Sequence, residues 1–254
     1  MKVEGIAAPP KEWSWSYSKL KNYKTCPKRH YEVDVLKNFN DGDGNEQLLL
    51  GNEAHDALAK ACAGKQGLPE KFTHYQVWVD RVRAGPGKLL VEQKYAITRD
   101  FRPTTYFARD VWYRGIGDIV RLDGPVALVL DWKTGKILED SVQLMLMAQC
   151  LFSHFPELKR VRSEFVWLKE GCTSPEVFTR EEVAEQWRDL LPQVNQAGCA
   201  RNTARCRAVR FMEKGAEDEV QLPFLRGAWV VGAHPIVASA ALAWLRHAPT
   251  GPTL

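Results

Sequence analysis

Apolar residues that alternate with polar ones, or that run without interruption, mark the strands of a sheet along this chain. We predict strands over residues 88–98, 113–122, 128–134, 161–168 and 175–179. Apolar residues at helical spacing predict a first helix that starts after Ser16 or Ser18 and is interrupted at Pro27. Further helices are predicted over residues 30–36, 48–63, 72–83, 139–155 and 180 to about 194. This succession of helices and strands predicts a domain of the α/β class.

The size and composition of the chain are those of an ordinary globular protein, with room for one domain and a tail. Its 254 residues carry a formal net charge of +4, which permits nucleic-acid binding without demonstrating it. Six cysteines at irregular spacing do not make a disulfide framework, and residues 1–11 lack the apolar core of a secretory leader. We therefore expect reduced thiols and a cytoplasmic protein.

Residues 128–136 combine a buried strand with charged side chains at its end. Asp131 and Lys133 share one face of this strand because side chains alternate, whereas Trp132 points to the other face. Burying a carboxylate beside an ammonium group is costly unless a metal ion and a charged substrate bind there. The pattern alone leaves open an incidental ion pair at an exposed strand end.

The preceding strand brings a second carboxylate to the same place. The turn signal Asp-Gly-Pro separates the two strands, and a four-residue loop over residues 123–126 sets Leu122 opposite Ala127. The same register sets Asp118 opposite Asp131, at a separation of about 5 Å. Two bare carboxylates this close repel each other, and a hard divalent cation with oxygen ligands would remove that repulsion.

Five motifs follow one another along the chain. They are the stretch from Ser16 to Pro27, Gly51-Asn52-Glu53-Ala54-His55, Gly115-Ile116-Gly117-Asp118, Asp131-Trp132-Lys133-Thr134-Gly135-Lys136 and Gln143-Leu144. In this order, over about residues 14–155, the chain resembles the RecB-like branch of the PD-(D/E)xK nucleases, which includes phage and CRISPR-associated exonucleases. The resemblance implies a restriction-endonuclease-like PD-(D/E)xK core over residues 1–197, with a mixed central sheet flanked by helices.

The resemblance also implies a binding site for Mg²⁺ or Mn²⁺. Its ligands would be the side chains of His55, Asp118 and Asp131, assisted by the backbone carbonyl of Trp132. An imidazole ligand suits Mn²⁺ better than Mg²⁺, so Mn²⁺ should support activity at least as well. Without the resemblance, the small and apolar face that carries His55 is more typical of a core histidine.

The catalytic roles implied by the resemblance fall on four residues: Asp118, Asp131, Lys133 and Gln143. Lys133 would orient the attacking water or stabilise charge in the transition state, and Gln143 would position the water or the scissile phosphate. The expected substrate is DNA, as single strands or ends, in recombination, repair or phage DNA processing. Relatives often carry a tyrosine where this chain has Met147. The alternative is therefore a catalytically inactive nuclease fold that binds DNA or another protein.

Cationic and aromatic side chains near the N-terminus are candidates for contact with the DNA backbone. The predicted nucleic-acid-binding residues are Lys19, Tyr23, Lys24, Lys28 and Arg29. A solvated helix face explains the same charges equally well.

Two further stretches are compatible with a role at the site. Glu92 lies in the middle of a strand beside the expected carboxylates, although a plain outward-facing glutamate is the simpler interpretation. Residues 99–113 interleave aromatic residues with arginines, which suits base stacking on a single strand. A hairpin that packs its own aromatic side chains explains them as well.

The tail over residues 198–254 is atypical of such a domain. Its apolar stretch over residues 227–245 has about the length of a membrane span, but His234, Pro235 and many small residues make it a poor one. We expect no membrane association, and we expect the tail to be poorly ordered and protease-sensitive.

Iron–sulfur members of the resembled family place their first cluster ligand where this chain has Cys26, for which a buried free thiol is the alternative. Such a cluster needs four thiolates, which Cys199 and Cys206 do not complete, so we expect no iron–sulfur cluster. In a shifted reading frame, residues 231–238 can encode Trp-Cys-Pro-Ser-His-Arg-Cys, which resembles the cysteine-rich ending of those relatives. This hypothesis fails if the nucleotides of the shifted frame contain stop codons or lack the cysteine codons.

Overall fold

A computed structural model describes residues 13–39, 45–138 and 140–213 of the chain, with side chains up to residue 198. The α-helices are α1 (Tyr17–Thr25), α2 (Pro27–His30), α3 (Glu46–Cys62), α4 (Gln76–Ala84), α5 (Val142–His154) and α6 (Arg180–Glu213). A π-helix (Tyr31–Val35) follows α2, and a 3₁₀-helix (Glu70–Tyr75) precedes α4. The strands are β1 (Lys88–Ile97), β2 (Pro103–Thr104), β3 (Tyr113–Asp123), β4 (Val126–Lys133), β5 (Arg160–Trp167) and β6 (Cys172–Phe178).

The strands form one mixed six-stranded sheet in the order β2-β1-β3-β4-β5-β6. β4 and β5 are parallel, because α5 carries the chain back between them, and the other neighbouring pairs are antiparallel. The predicted α/β class, with a mixed central sheet flanked by helices, is confirmed.

The hairpin that joins β3 to β4 has the predicted register with a tighter turn. Leu122 pairs with Ala127 as predicted, but Asp123 also pairs with Val126. The predicted four-residue loop is therefore wrong, and only Gly124 and Pro125 lie between the paired residues. Gly124 takes a φ of 55°, a left-handed conformation that suits a two-residue turn.

An apolar layer covers one face of the sheet, and the charged residues Asp131 and Lys133 lie on the other face. Trp132 is its centre, with 1% of its surface exposed, and it packs with Ile119, Leu58 and Val79 from β3, α3 and α4. Burial of this indole contributes on the order of 2–3 kcal/mol or more to folding. Trp132 thus fixes β4 in depth and turns the neighbouring Asp131 and Lys133 to the opposite face, as predicted.

The end of α4 is attached to β3 by a buried arginine. The Arg121 guanidinium donates to the carbonyl oxygens of Gly85 and Pro86 at 2.6 and 2.8 Å, and also to that of Val82. A cation at a helix C-terminus satisfies carbonyl groups that have no partner within the helix. Arg121 therefore joins the helical layer to the strand that carries Asp118.

The described residues divide into a compact unit that ends at Trp187 and a second unit that begins at Arg188. In the second unit, α6 continues through Pro192 to Glu213, beyond the end predicted near residue 194. The domain boundary predicted near residue 197 stays a prediction. Most of the predicted tail lies outside the described residues, including residues 214–254.

No helix within the described ranges is long and apolar enough to cross a membrane. The apolar stretch over residues 227–245, for which a membrane span was considered, is not part of those ranges, nor are residues 231–238 of the reading-frame hypothesis.

Candidate active site

Two carboxylates meet where β3 and β4 separate. Backbone pairing between these strands stops at Ile119 and Leu130, so their register places Asp118 beside Asp131. The backbone N–H of Trp132 donates to Asp118 Oδ2 at 2.9 Å. The carboxylate therefore takes a hydrogen bond from the neighbouring strand, which holds Asp118 against β4.

Lys133 and Gln143 interlock with the second carboxylate. Lys133 Nζ lies 2.5 Å from Asp131 Oδ2 and donates to Gln143 Oε1 at 2.9 Å. Gln143 Nε2 donates to Asp131 Oδ1 at 2.6 Å. An ammonium can only donate and a carboxylate can only accept, so this pair of partners determines the orientation of the amide. Gln143 is at the start of α5, which brings it back to the end of β4.

The Lys133 ammonium has an aromatic neighbour as well. Its Nζ lies 4.8 Å from the ring centroid of Phe165, which is the residue of β5 paired with Asp131. A cation above a ring is stabilised by the negative face of the ring. Strands β4 and β5 and helix α5 together position the ammonium beside Asp131.

His55 reaches the site from α3. Its Nδ1 lies 3.3 Å from Asp118 Oδ2, and 32% of its side chain is exposed, which argues against a core histidine. Burial acts to lower the pKa of His55, but the hydrogen bond and the charge of Asp118 outweigh burial and raise it overall. In this arrangement the imidazole offsets the charge of Asp118.

The charge of Asp131 is unfavourable in the absence of a cation. Burial raises the pKa of Asp131, and the nearby carboxylate of Asp118 raises it further, while Lys133 and His55 act in the opposite direction. Asp131 Oδ2 is buried and lacks a hydrogen-bond donor in good geometry, despite its ion pair with Lys133. An additional positive charge near this oxygen would be favourable.

The donor set suits a divalent cation, although it is not arranged around one. Two carboxylates and an imidazole are ligands that Mn²⁺ and Mg²⁺ accept. However, within the described residues no three His, Cys, Asp or Glu side chains are placed together as metal ligands. The carboxylates are partnered with His55, Lys133, Gln143 and the Trp132 amide instead. The metal site, including the Trp132 carbonyl, stays a prediction.

Gly51 makes room for the strand end. A Cβ atom at Gly51 would lie 2.8 Å from Thr134 Oγ1, the residue next to Lys133. Thr134 belongs to the motif that also contains Asp131, so Gly51 lets α3 approach this motif closely.

We expect Gly51→Ala to destabilise the protein by about 1 kcal/mol or more, because the methyl group overpacks against Thr134. Thermal unfolding tests this. With Thr134→Ala as background, the same substitution should instead stabilise the protein by up to about 1 kcal/mol, since alanine favours the helix. An equal effect in both backgrounds would contradict the close contact.

Glu92 lies beside the candidate site, as its place in the strand predicted. Val91 pairs with Ile119 and Gln93 pairs with Gly117, so Glu92 falls opposite Asp118. Its φ of 52° is unusual for a residue with a side chain, and Glu92 is left out of the backbone pairing between β1 and β3. Partial burial and then the charge of Asp118 raise the pKa of Glu92. No strand pattern could have predicted this left-handed conformation.

The predicted DNA-binding residues lie on α1 and α2. Lys24, Lys28 and Arg29 are exposed, whereas Lys19 is half-buried and donates to the Ser14 carbonyl at 3.2 Å. Tyr23 is half-buried and makes an edge contact with His30. Their contact with DNA stays a prediction.

Cys26 separates α1 from α2 and is exposed, so the alternative of a buried thiol is wrong. The side chains of Cys199 and Cys206 are not among those described.

The aromatic residues of 99–113 have two different environments. Phe101 and Trp112 make an edge contact with each other, as expected of a hairpin that packs its own aromatics, and both also contact Trp187 on α6. Phe107 is 79% exposed, and the guanidinium of Arg114 lies over the ring of Tyr106. The stretch is therefore divided between core and surface.

A cavity of about 310 Å³ opens from the two carboxylates. Asp118, Asp131, Gln143 and Met147 form one part of its wall, and residues from α1 and β3 form the rest. The Tyr17 hydroxyl donates to Asp140, which ties α1 to the start of α5 over this cavity. A Cβ atom at Gly115 would lie 3.2 Å from the Met147 side chain, and one at Gly117 would lie 3.5 Å from it, where the resemblance led us to expect a phenol.

Comparison with known proteins agrees with this geometry. The family model of the PD-(D/E)XK nuclease superfamily matches residues 14–215, which is most of the chain and includes all the predicted site residues. No curated protein matches the chain. The mixed sheet has the restriction-endonuclease-like arrangement of this superfamily, and the Asp-x-Lys pair lies at the end of a central strand beside a second aspartate. The chain belongs to the PD-(D/E)XK nuclease superfamily.

Proposed function

We propose that this protein is a deoxyribonuclease of the RecB-like branch, which hydrolyses phosphodiester bonds at DNA ends or in single strands with Mg²⁺ or Mn²⁺. The observation that carries the proposal is the linked set of Asp118, Asp131, Lys133 and Gln143 on two adjacent strands and one helix. Burying these charged groups is costly, and apolar residues of similar size would stabilise the fold at least as well. The presence of these charged residues therefore indicates that they act on a substrate.

Each residue of the set has a chemical role in this proposal. Lys133 is a fixed positive charge that stabilises the developing negative charge on the phosphoryl oxygens or orients the attacking water. Gln143 holds Lys133 and Asp131 at a constant separation through its two hydrogen bonds. Positioning groups before the reaction lowers the barrier because no reorganisation is needed later.

His55, Asp118 and Asp131 would hold the cation, with the Trp132 carbonyl as a further ligand. When bound, a divalent cation lowers the pKa of water and offsets negative charge on the phosphate. Binding would also offset the burial and the repulsion from Asp118 that raise the pKa of Asp131. His55 would exchange its contact with Asp118 for the cation, which neutral imidazole can bind.

The DNA strand would approach over α1 and α2. The exposed Lys24, Lys28 and Arg29 supply positive charge for the backbone, and Lys19 and Tyr23 are the other proposed contacts. We assign no iron–sulfur cluster to the protein and place it in a reducing cytoplasm, in recombination, repair or phage DNA processing.

One alternative keeps the fold without the chemistry. Met147 replaces the tyrosine often found in relatives, so the fold could serve DNA binding alone. The intact aspartate–aspartate–lysine set favours the enzyme.

End-labelled single-stranded and double-stranded DNA, incubated with Mn²⁺, Mg²⁺ or EDTA, tests the proposal. We expect shortened products with Mn²⁺ and Mg²⁺ and intact DNA with EDTA, and the product ladder shows whether cutting starts from an end. The same reaction on RNA measures the preference for DNA. DNA binding without cleavage in any of these reactions would support the inactive fold instead.

A further inference from the structure

The cavity beside the carboxylates extends to an arginine that the proposed chemistry does not use. Asp118, Asp131 and Gln143 border the cavity on the side of the candidate active site. Arg114, four residues before Asp118 on β3, belongs to the same wall. A ligand in the cavity can therefore touch Arg114 while an adjoining group lies at the carboxylates.

Arg114 lacks the partners that a structural arginine normally has. Among the described residues, its Nε is buried without a hydrogen-bond partner and no carboxylate forms an ion pair with it. Its guanidinium carbon lies 5.1 Å from the ring centroid of Tyr106. A guanidinium that is held by a ring and has unused donors is well suited to an anionic oxygen.

A second cation shares the same ring. Lys94 Nζ lies 5.6 Å from the Tyr106 ring centroid, and it also has no ion pair with a carboxylate among the described residues. Two cations that share one aromatic ring repel each other unless an anion is present. Positive charge is therefore concentrated around Tyr106, which lines the cavity together with Arg114.

Two serine hydroxyl groups line the cavity near the start of α1. Ser16 precedes the first residue of α1, yet its hydroxyl makes no capping hydrogen bond. Ser18 lines the cavity as well. Hydroxyl groups and guanidinium donors together match the hydrogen-bonding needs of a phosphate group.

We propose that this cavity is a subsite for the nucleotide next to the scissile bond, and that Arg114 binds the phosphate of that nucleotide. The proposal rests on the proposed nuclease function and names how the substrate strand is positioned. A volume of about 310 Å³ is at the lower end of ligand sites, which span about 300–1,000 Å³, and suits one nucleotide of a single strand. The phosphate can be a terminal monoester or an internal diester.

Binding without cleavage tests the subsite. Fluorescence anisotropy in EDTA would compare the wild type with Arg114→Met on single-stranded oligonucleotides that carry a 5′-phosphate or a 5′-hydroxyl. A second pair of oligonucleotides would differ by one neutral methylphosphonate beside the mapped cleavage position. We expect the wild type to prefer the charged member of at least one pair by about tenfold, as for a hydrogen bond to a charged group. Arg114→Met should lose that preference.

The two pairs separate the two sources of phosphate. A preference confined to the 5′-phosphate pair identifies a terminal monoester, and one confined to the methylphosphonate pair identifies an internal diester. Arg114→Lys keeps the charge and should retain part of the preference. Arg81→Met is the matched control, because Arg81 is exposed, lies outside the cavity lining and also has an aromatic neighbour, with its guanidinium carbon 5.0 Å from the Trp78 ring centroid. It should bind like the wild type.

Equal preferences in the wild type and Arg114→Met, with unfolding temperatures that agree, would overturn the subsite. If the wild type cleaves DNA and yet shows this equality, the nuclease proposal stands and the subsite fails. If no cleavage occurs but the preference for the 5′-phosphate depends on Arg114, phosphate binding by Arg114 stands and the nuclease proposal fails.

Discussion

Replacing Lys133 with methionine should reduce the rate of metal-dependent DNA cleavage about a hundredfold or more, with the fold retained. The ammonium is fixed by Asp131, Gln143 and the Phe165 ring, so it is organised before the substrate arrives. Removing one preorganised electrostatic group from an active site typically costs this much. The initial rate of release of end label, with Mn²⁺ in excess, measures the loss.

The matched control for this substitution is Lys136→Met. Lys136 is exposed and lies three residues further along the chain. Its substitution therefore removes one positive charge but leaves the contacts among Asp131, Lys133 and Gln143 intact. Its cleavage rate should remain within a few-fold of the wild type. Near-normal turnover by Lys133→Met would remove Lys133 from the proposed mechanism.

Asp131→Asn should reduce the cleavage rate about as much as Lys133→Met does. Unlike a typical substitution of a buried residue, it should not destabilise the folded protein. Because burial and Asp118 raise the pKa of Asp131 in the folded protein, its negative charge is a cost at neutral pH without a cation. An amide removes that charge while keeping the shape. The unfolding temperature in EDTA should therefore be equal to or higher than that of the wild type.

The proximity of the two aspartates could be predicted from the sequence because it follows from the geometry of two consecutive strands. Side chains alternate along a strand, and a short hairpin fixes which residues lie opposite each other. Asp118 and Asp131 are brought together by these rules alone. The tighter turn did not disturb this register, because shortening the loop by one pair adds residues symmetrically to both strands.

Other parts of the site depend on long-range packing, which one sequence does not show. His55 is on a helix far from Asp118 in the chain, and only the resemblance indicated that it reaches the carboxylate. Arg114 is on a predicted strand, but no pattern indicated that its guanidinium would lie unpaired in a cavity. The left-handed Glu92 contradicts its local strand preference, and such conflicts are expected at functional sites.

His55→Ala is expected to weaken Mn²⁺ binding at least about tenfold, because even groups that only orient metal ligands typically contribute this much to affinity. Isothermal calorimetry with Mn²⁺ measures the change directly. His74→Ala is the matched control, since His74 is exposed and contacts Tyr75 rather than a carboxylate. Cleavage by His55→Ala should fall as well, and more at low Mn²⁺ than at saturation.

The pH dependence of Mn²⁺ binding shows whether His55 coordinates the ion or only lies beside it. Asp118 raises the pKa of His55 in the metal-free protein, and only the neutral imidazole can bind a cation. The affinity for Mn²⁺ should therefore increase as the pH rises through the raised pKa of His55, and this increase should be absent from His55→Ala. Unchanged affinity together with a lower unfolding temperature would instead make His55 a packing residue, and Asp118 and Asp131 would then have to hold the cation without an imidazole.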